Sequence, residues 1–136
     1  MAITQQTTIN KIIVHCSDSP HRGDQASDIN RWHLEAGYDA IGYHEVITES
    51  GERQRGRQWF MQGAHCAKNG GNLNSIGICL IGQGQYTPAQ METLGEIINE
   101  YCNKWEIIDI AGHSDYDPSK PNCPGIPIRE VYKLNR

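Results

Sequence analysis

Apolar residues in this chain gather into short runs separated by polar, glycine-rich stretches, and the period of each run predicts its element. Lys11-Ile12-Ile13-Val14-His15-Cys16 and Ser75-Ile76-Gly77-Ile78-Cys79-Leu80-Ile81 are apolar without alternation, the pattern of strands buried on both faces. Ile107-Ile108-Asp109-Ile110-Ala111 reads the same way. Residues Ala40 to Thr48 predict an alternating strand, with Ile41, Tyr43, Glu45 and Ile47 on one face and Gly42, His44, Val46 and Thr48 on the other. The turn at Ser50-Gly51 folds it into a hairpin with residues 52–57. Arg53, Arg55 and Arg57 alternate there, which gives either a charge-protected edge or a cationic strip for an acidic peptide.

Two segments carry the helical period. Ser27 can cap a helix that runs to Ala36 and is closed by Gly37, with Ile29, Trp32, His33 and Ala36 on one face. His33 is then a core or half-buried residue. Thr87-Pro88-Ala89-Gln90 is a capping box with proline at the first helical position. The helix it opens reaches about Trp105 and aligns Met91, Leu94, Ile97, Ile98, Tyr101, Cys102 and Trp105. Ile126 to Leu134 predicts a short terminal helix, residues 1–8 are polar and expected to fray, and His21 to Gln25 is a polar loop. Trp59 to Asn72 is irregular, rich in glycine and contains His65; segments of this kind often line binding sites. The expected fold class is α/β: a single domain, residues 1–136, with a central mixed β-sheet flanked by helices. The 87–105 helix serves as the crossover that makes the strands before and after it parallel, which puts the 112–123 loop at one sheet edge.

Composition narrows the function. The 136 residues suit one domain, and a net charge of −4 argues against nucleic acid as a partner. No apolar stretch is long enough to span a membrane, and the N-terminus lacks the basic and apolar regions of a secretory signal, so a cytoplasmic site of accumulation is expected. Five scattered cysteines do not form a disulfide framework; most read as small buried hydrophobes. Cys123 differs, because its Pro-Asn-Cys-Pro-Gly setting is a loop.

That loop, Ala111 to Ile126, is where chemistry concentrates: it holds His113, Lys120 and Cys123 directly after a buried strand. Imidazole and thiolate together suit zinc, and a catalytic zinc site uses three protein ligands with a place left for water. His15, at the end of its own strand, can complete the set, although a core histidine with a satisfied hydrogen bond is the alternative reading of that position.

The motifs Ile13-Val14-His15-Cys16-Ser17, Gly42-Tyr43-His44, Asn74 through Leu80, Tyr86 through Met91, Gly112-His113 and Lys120 through Gly125 occur in the order of one family. The chain resembles the zinc-dependent N-acetylmuramoyl-L-alanine amidases of the phage lysozyme type, close to the T7 lysozyme subgroup and related to the peptidoglycan-recognition proteins. The resemblance implies that His15, His113 and Cys123 bind Zn2+, that Tyr43 and Lys120 assist catalysis, and that His65 lines the substrate groove. It further implies cleavage of the amide between N-acetylmuramic acid and L-alanine in peptidoglycan by a monomeric phage endolysin, held in the host cytoplasm until release to the wall. Lys120 stands three residues before Cys123, where the T7 pattern has two. Cys79 stands where the related cytosolic recycling amidases carry a glutamate, and Cys123 is present where non-catalytic recognition modules lack it. A recycling amidase and a recognition module are therefore the alternatives. Glu45 is a second possible proton acceptor beside Tyr43, with an exposed strand carboxylate as its plain reading. His44 is expected to be structural, and Asp115 to orient the loop or a ligand imidazole. The T7 member also binds its phage RNA polymerase; neither the acidic charge nor the N-terminus of this chain bears on a phage or host polymerase as partner.

Overall fold

The apolar runs form the middle of a five-stranded sheet. The computed structural model describes residues 3–19 and 23–133; the first two residues of the polar tail, His21 and Arg22 of the polar loop, and Leu134 at the expected end of the last helix lie outside these. Strand β1 (Lys11–Cys16) is central, between β4 (Ser75–Leu80) and β5 (Asp109–Gly112); β2 (Glu45–Ile47) lies beyond β4, and β3 (Arg53–Arg55) forms the edge. All neighbours are parallel except β2 and β3, which form the hairpin. The sheet is mixed, as expected.

Side-chain alternation divides the sheet into two unlike faces. On one, Ile12 and Val14 of β1 join Ile76, Ile78 and Leu80 of β4 under helix α2 (Pro88–Lys104), which contributes Leu94, Ile97, Ile98 and Tyr101. Helix α2 starts as its sequence predicts. Thr87 accepts from Gln90 N at 3.1 Å, the Gln90 side chain accepts from Thr87 N at 2.9 Å, and Pro88 follows the cap. On the other face, Ile41, Val46, Cys79 and Ile81 meet Ile29 and Trp32 of α1 (Ala26–Glu35). Gln25, not Ser27, occupies the N-cap position of α1, and its backbone N–H donates to Asp28 Oδ2 at 2.8 Å. The chain ends in two single-turn helices, α3 (His113–Tyr116) and α4 (Ile128–Val131), the latter shorter than the expected 126–134 span.

Two further expectations are corrected. The 40–48 strand shrinks to β2, and its alternation slips at His44. Ile41 and Tyr43 pack on the α1 side, whereas Ile47 and Glu45 turn toward α2. The slip has a backbone cause: both Tyr43 O and His44 O accept from the returning chain, from Arg57 N (2.8 Å) and Gly56 N (2.9 Å), so no regular ladder continues through 43–44. Residues 3–8, expected to fray, are also anchored. Gln5 bridges to Met61, and Gln6 is buried with its amide donating to Trp59 O (2.7 Å) and Ser75 O (3.0 Å).

Candidate metal centre

Parallel pairing brings the ligand candidates together. His15 lies opposite Cys79 in β4, and Val14 lies opposite Gly112, the last residue of β5. The next residue, His113, therefore emerges beside His15, with ring centroids 4.4 Å apart. The loop after α3 then doubles back. Ser114 N donates to Cys123 O at 2.9 Å and Cys123 N to Lys120 O at 3.2 Å, which returns the cysteine to the strand ends. One ligand atom from each of His15, His113 and Cys123 lies within 4.8 Å of the others.

The residues fit a metal. His15 is fully buried; its Nε2 is hydrogen-bonded to His65 Nδ1 at 2.8 Å, while its Nδ1 has no partner. A buried ring nitrogen left bare costs free energy unless something accepts its lone pair, and a divalent cation does so. Burial, reinforced by the neighbouring histidines, holds His15 well below the usual imidazole range, so the neutral ligand form is the stable one. His113 is lowered by its own burial, with Lys120 acting the same way and Asp117 opposing it. Cys123 Sγ accepts from the backbone N–H of Cys16 at 3.2 Å. In the absence of a cation, the shared hydrogen bond with Cys16 and burial push the Cys123 thiol up, and the same bond draws Cys16 down to about 7.

His113 and Cys123 line an open cleft of about 430 Å3, together with Ser17, Asp18, Tyr43 and Lys120, and His15 is buried beside them. Tyr43 lies with its ring centroid 5.1 Å from that of His15, and burial raises its phenol well above the usual range. It is thus a hydrogen-bond donor at neutral pH and not a base. Lys120 is exposed on the cleft lip.

Other expected site residues lie elsewhere. Glu45 is fully buried on the opposite face, where its carboxylate accepts from Arg53 (2.9 and 2.8 Å) and from the Tyr101 hydroxyl (2.7 Å). It is neither an exposed strand carboxylate nor a neighbour of Tyr43, because of the slip at His44. The arginine strip does not form either: Arg53 is spent on Glu45 and Glu100, and Arg57 is buried, donating to Ile41 O and Gln62 O at 2.7 Å each. His65 is 8 % exposed and sits behind His15, off the cleft wall. Asp115 orients the loop by accepting from Gly112 N at 2.8 Å. The carboxylate that faces a ligand imidazole is Asp117, with Oδ2 3.9 Å from His113 Nε2, held by Ser119 through Oδ1. Its spacing of four residues from His113, one helical turn, was the available signal for it. His44 is structural: it accepts from Gly77 N at 3.0 Å and pairs with Met61 O at 2.7 Å. His33 is half-buried and accepts from Gly42 N.

Sheet and cluster together define the class: an α/β protein with a His-His-Cys cluster that could hold a metal, placed where parallel strands end. Residues 5–126 match the N-acetylmuramoyl-L-alanine amidase family, and the chain belongs to that family. It is 31% identical over 140 residues to the endolysin of Escherichia phage T7, covering 96% of this chain and 90% of that one. Among solved structures it is similar to the N-acetylmuramoyl-L-alanine amidase LysC from Clostridium intestinale URNW, with a TM-score of 0.82, 26% identity and coverage of 99% and 96% of the two chains. It is also similar to the wild-type Drosophila peptidoglycan-recognition protein PGRP-LB, with a TM-score of 0.80, 26% identity and coverage of 98% and 85%.

Proposed function

We propose that this chain is a zinc-dependent N-acetylmuramoyl-L-alanine amidase that acts as a phage endolysin, cutting the amide between N-acetylmuramic acid and L-alanine of peptidoglycan. The observation that carries the reading is the convergence of His15, His113 and Cys123 within 4.8 Å at an open cleft. When bound, zinc would supply a Lewis acid and lower the pKa of water toward neutrality. His15 through Nδ1, His113 and Cys123 would hold it. Tyr43, protonated, donates a hydrogen bond to the water or to the carbonyl oxygen, and the Lys120 ammonium stabilises negative charge developing on that oxygen. A thiolate ligand makes the metal less electrophilic than three imidazoles would, so a second positive group at the lip is useful.

The presence of Cys123 in the cluster favours catalysis over a purely recognising module. Among the described residues no helix is long and apolar enough to cross a membrane. We propose one amidase domain that works as a monomer, accumulates in the host cytoplasm and reaches the wall on release. Mass spectrometry of digested peptidoglycan, with and without chelator, tests this. Release of free stem peptides, lost on chelation, is expected. New reducing ends would mean glycan cleavage and a wrong assignment.

A further inference from the structure

Behind the metal centre lies a hydrogen-bonded chain that the mechanism above does not use. His15 Nε2 meets His65 Nδ1 at 2.8 Å, and His65 Nε2 meets Ser75 Oγ at 3.1 Å. All three side chains are buried. We propose that His65 is a positioning residue that accepts the His15 Nε2 proton and so leaves His15 Nδ1 as the nitrogen presented to the metal.

The inference rests on the metal reading above and follows from ring chemistry. A neutral imidazole carries one N–H and one lone pair, and the hydrogen bond made by one nitrogen decides which form the other takes. A metal at Nδ1 requires the proton on Nε2, and His65 Nδ1 is the acceptor facing it. His65 then carries its own proton on Nε2, directed at Ser75 Oγ, which has a lone pair to receive it.

The surroundings hold His65 in that role. Its backbone N–H and that of Cys66 both donate to Asn72 Oδ1, at 2.9 and 2.8 Å, which pins the irregular segment. The ring sits against two bare glycines. A Cβ on Gly77 would lie 2.5 Å from His65 Cγ, and one on Gly63 would strike His65 Cδ2. Gly77 occupies a strand position where a side chain would displace the ring, so β4 is shaped to admit it.

The test is zinc affinity, measured by competition with a chromophoric chelator on the purified full chain and on variants checked for folding by circular dichroism. Asparagine places its amide oxygen close to where His65 Nδ1 sits, whereas leucine fills similar volume without an acceptor. His65→Leu is expected to weaken zinc by about 10–100-fold, the usual effect of losing an outer partner of a ligand histidine. His65→Asn is expected to stay close to wild type, and Ser75→Ala to lose less than His65→Leu. A packing role reverses the order, because leucine would be the better tolerated residue. Long-range 1H–15N correlation spectra of the zinc-loaded wild type read the tautomer directly and decide the matter even if His65→Leu does not fold. A proton on His15 Nε2 is expected. Zinc binding that is indifferent to His65→Leu, or a proton on Nδ1, overturns the assignment alone. A wild-type chain that takes up no zinc overturns the metal reading and the assignment together.

Discussion

The two faces of the sheet are built from the same strands and obey different rules. Toward α2, β1 and β4 present Ile12, Val14, Ile76, Ile78 and Leu80, and the face is held by apolar burial, which is non-directional and roughly proportional to area. Toward the cleft, the alternate positions carry His15, Gly77 and Cys79, and they are surrounded by His44, His65 and Tyr43. There a buried nitrogen needs a partner with defined geometry, and His15 Nδ1, bare among the described residues of that face, marks the candidate site. One face thus supplies the stability that offsets the cost of burying polar groups on the other.

Substitutions on the two faces should therefore separate activity from stability. The largest effect belongs to Cys123→Ser, which is expected to abolish hydrolysis and reduce zinc from about one ion per chain to none. Unfolding of the metal-free variant should match that of metal-free wild type; metal analysis together with a wall-digestion assay checks both. On the apolar face, Leu94→Ala should cost about 2–5 kcal/mol in denaturant unfolding while leaving activity per folded molecule unchanged. A loss of activity without a loss of stability would blur the division.

Lys120→Ala keeps the fold and removes the cation at the lip, so kcat should fall by about 10²–10³, the range for losing one group that stabilises developing charge. Unchanged kcat would remove Lys120 from the mechanism. The polar face should also be the acid-sensitive one. Burial pushes His44 down to about 4, and Gly77 N occupies its acceptor nitrogen. The unfolded chain, titrating near 6.5, thus binds the proton first. Stability is complete above about pH 6.5 and falls toward pH 4, by roughly 3 kcal/mol from this group. Urea unfolding between pH 4 and 7 reads the slope, which should be shallower in His44→Asn. The smallest effect is Thr87→Ala at the α2 cap, about 1 kcal/mol with normal zinc content.

Much of this is legible in the sequence. Helix α2 was readable to within a residue at each end because its cap, its proline and its apolar period all agree. The ligand trio was readable because His15 and His113 stand where apolar runs end, and parallel strands place such ends together. Glu45 misled because alternation was carried through His44, where the ladder is interrupted, and a one-residue slip moves a side chain to the other face. The depth of His65 is not legible in the sequence: nothing in an irregular segment states it, since it depends on Asn72, Gly63 and Gly77 meeting the residue in space. Arg57 looked like part of an exposed stripe because its partners are backbone carbonyls, which residue identity does not reveal.

The sequence by itself determined the main elements, their order, the family and the candidate ligand side chains His15, His113 and Cys123, since these depend on local period and on which atoms can ligate. Tertiary structure alone decided which face each polar residue occupies, that Asp117 and not Asp115 faces His113, and that His15 Nδ1 is the nitrogen left open. Those outcomes depend on hydrogen bonds between residues far apart in the chain, and their direction exists only once the strands are in register.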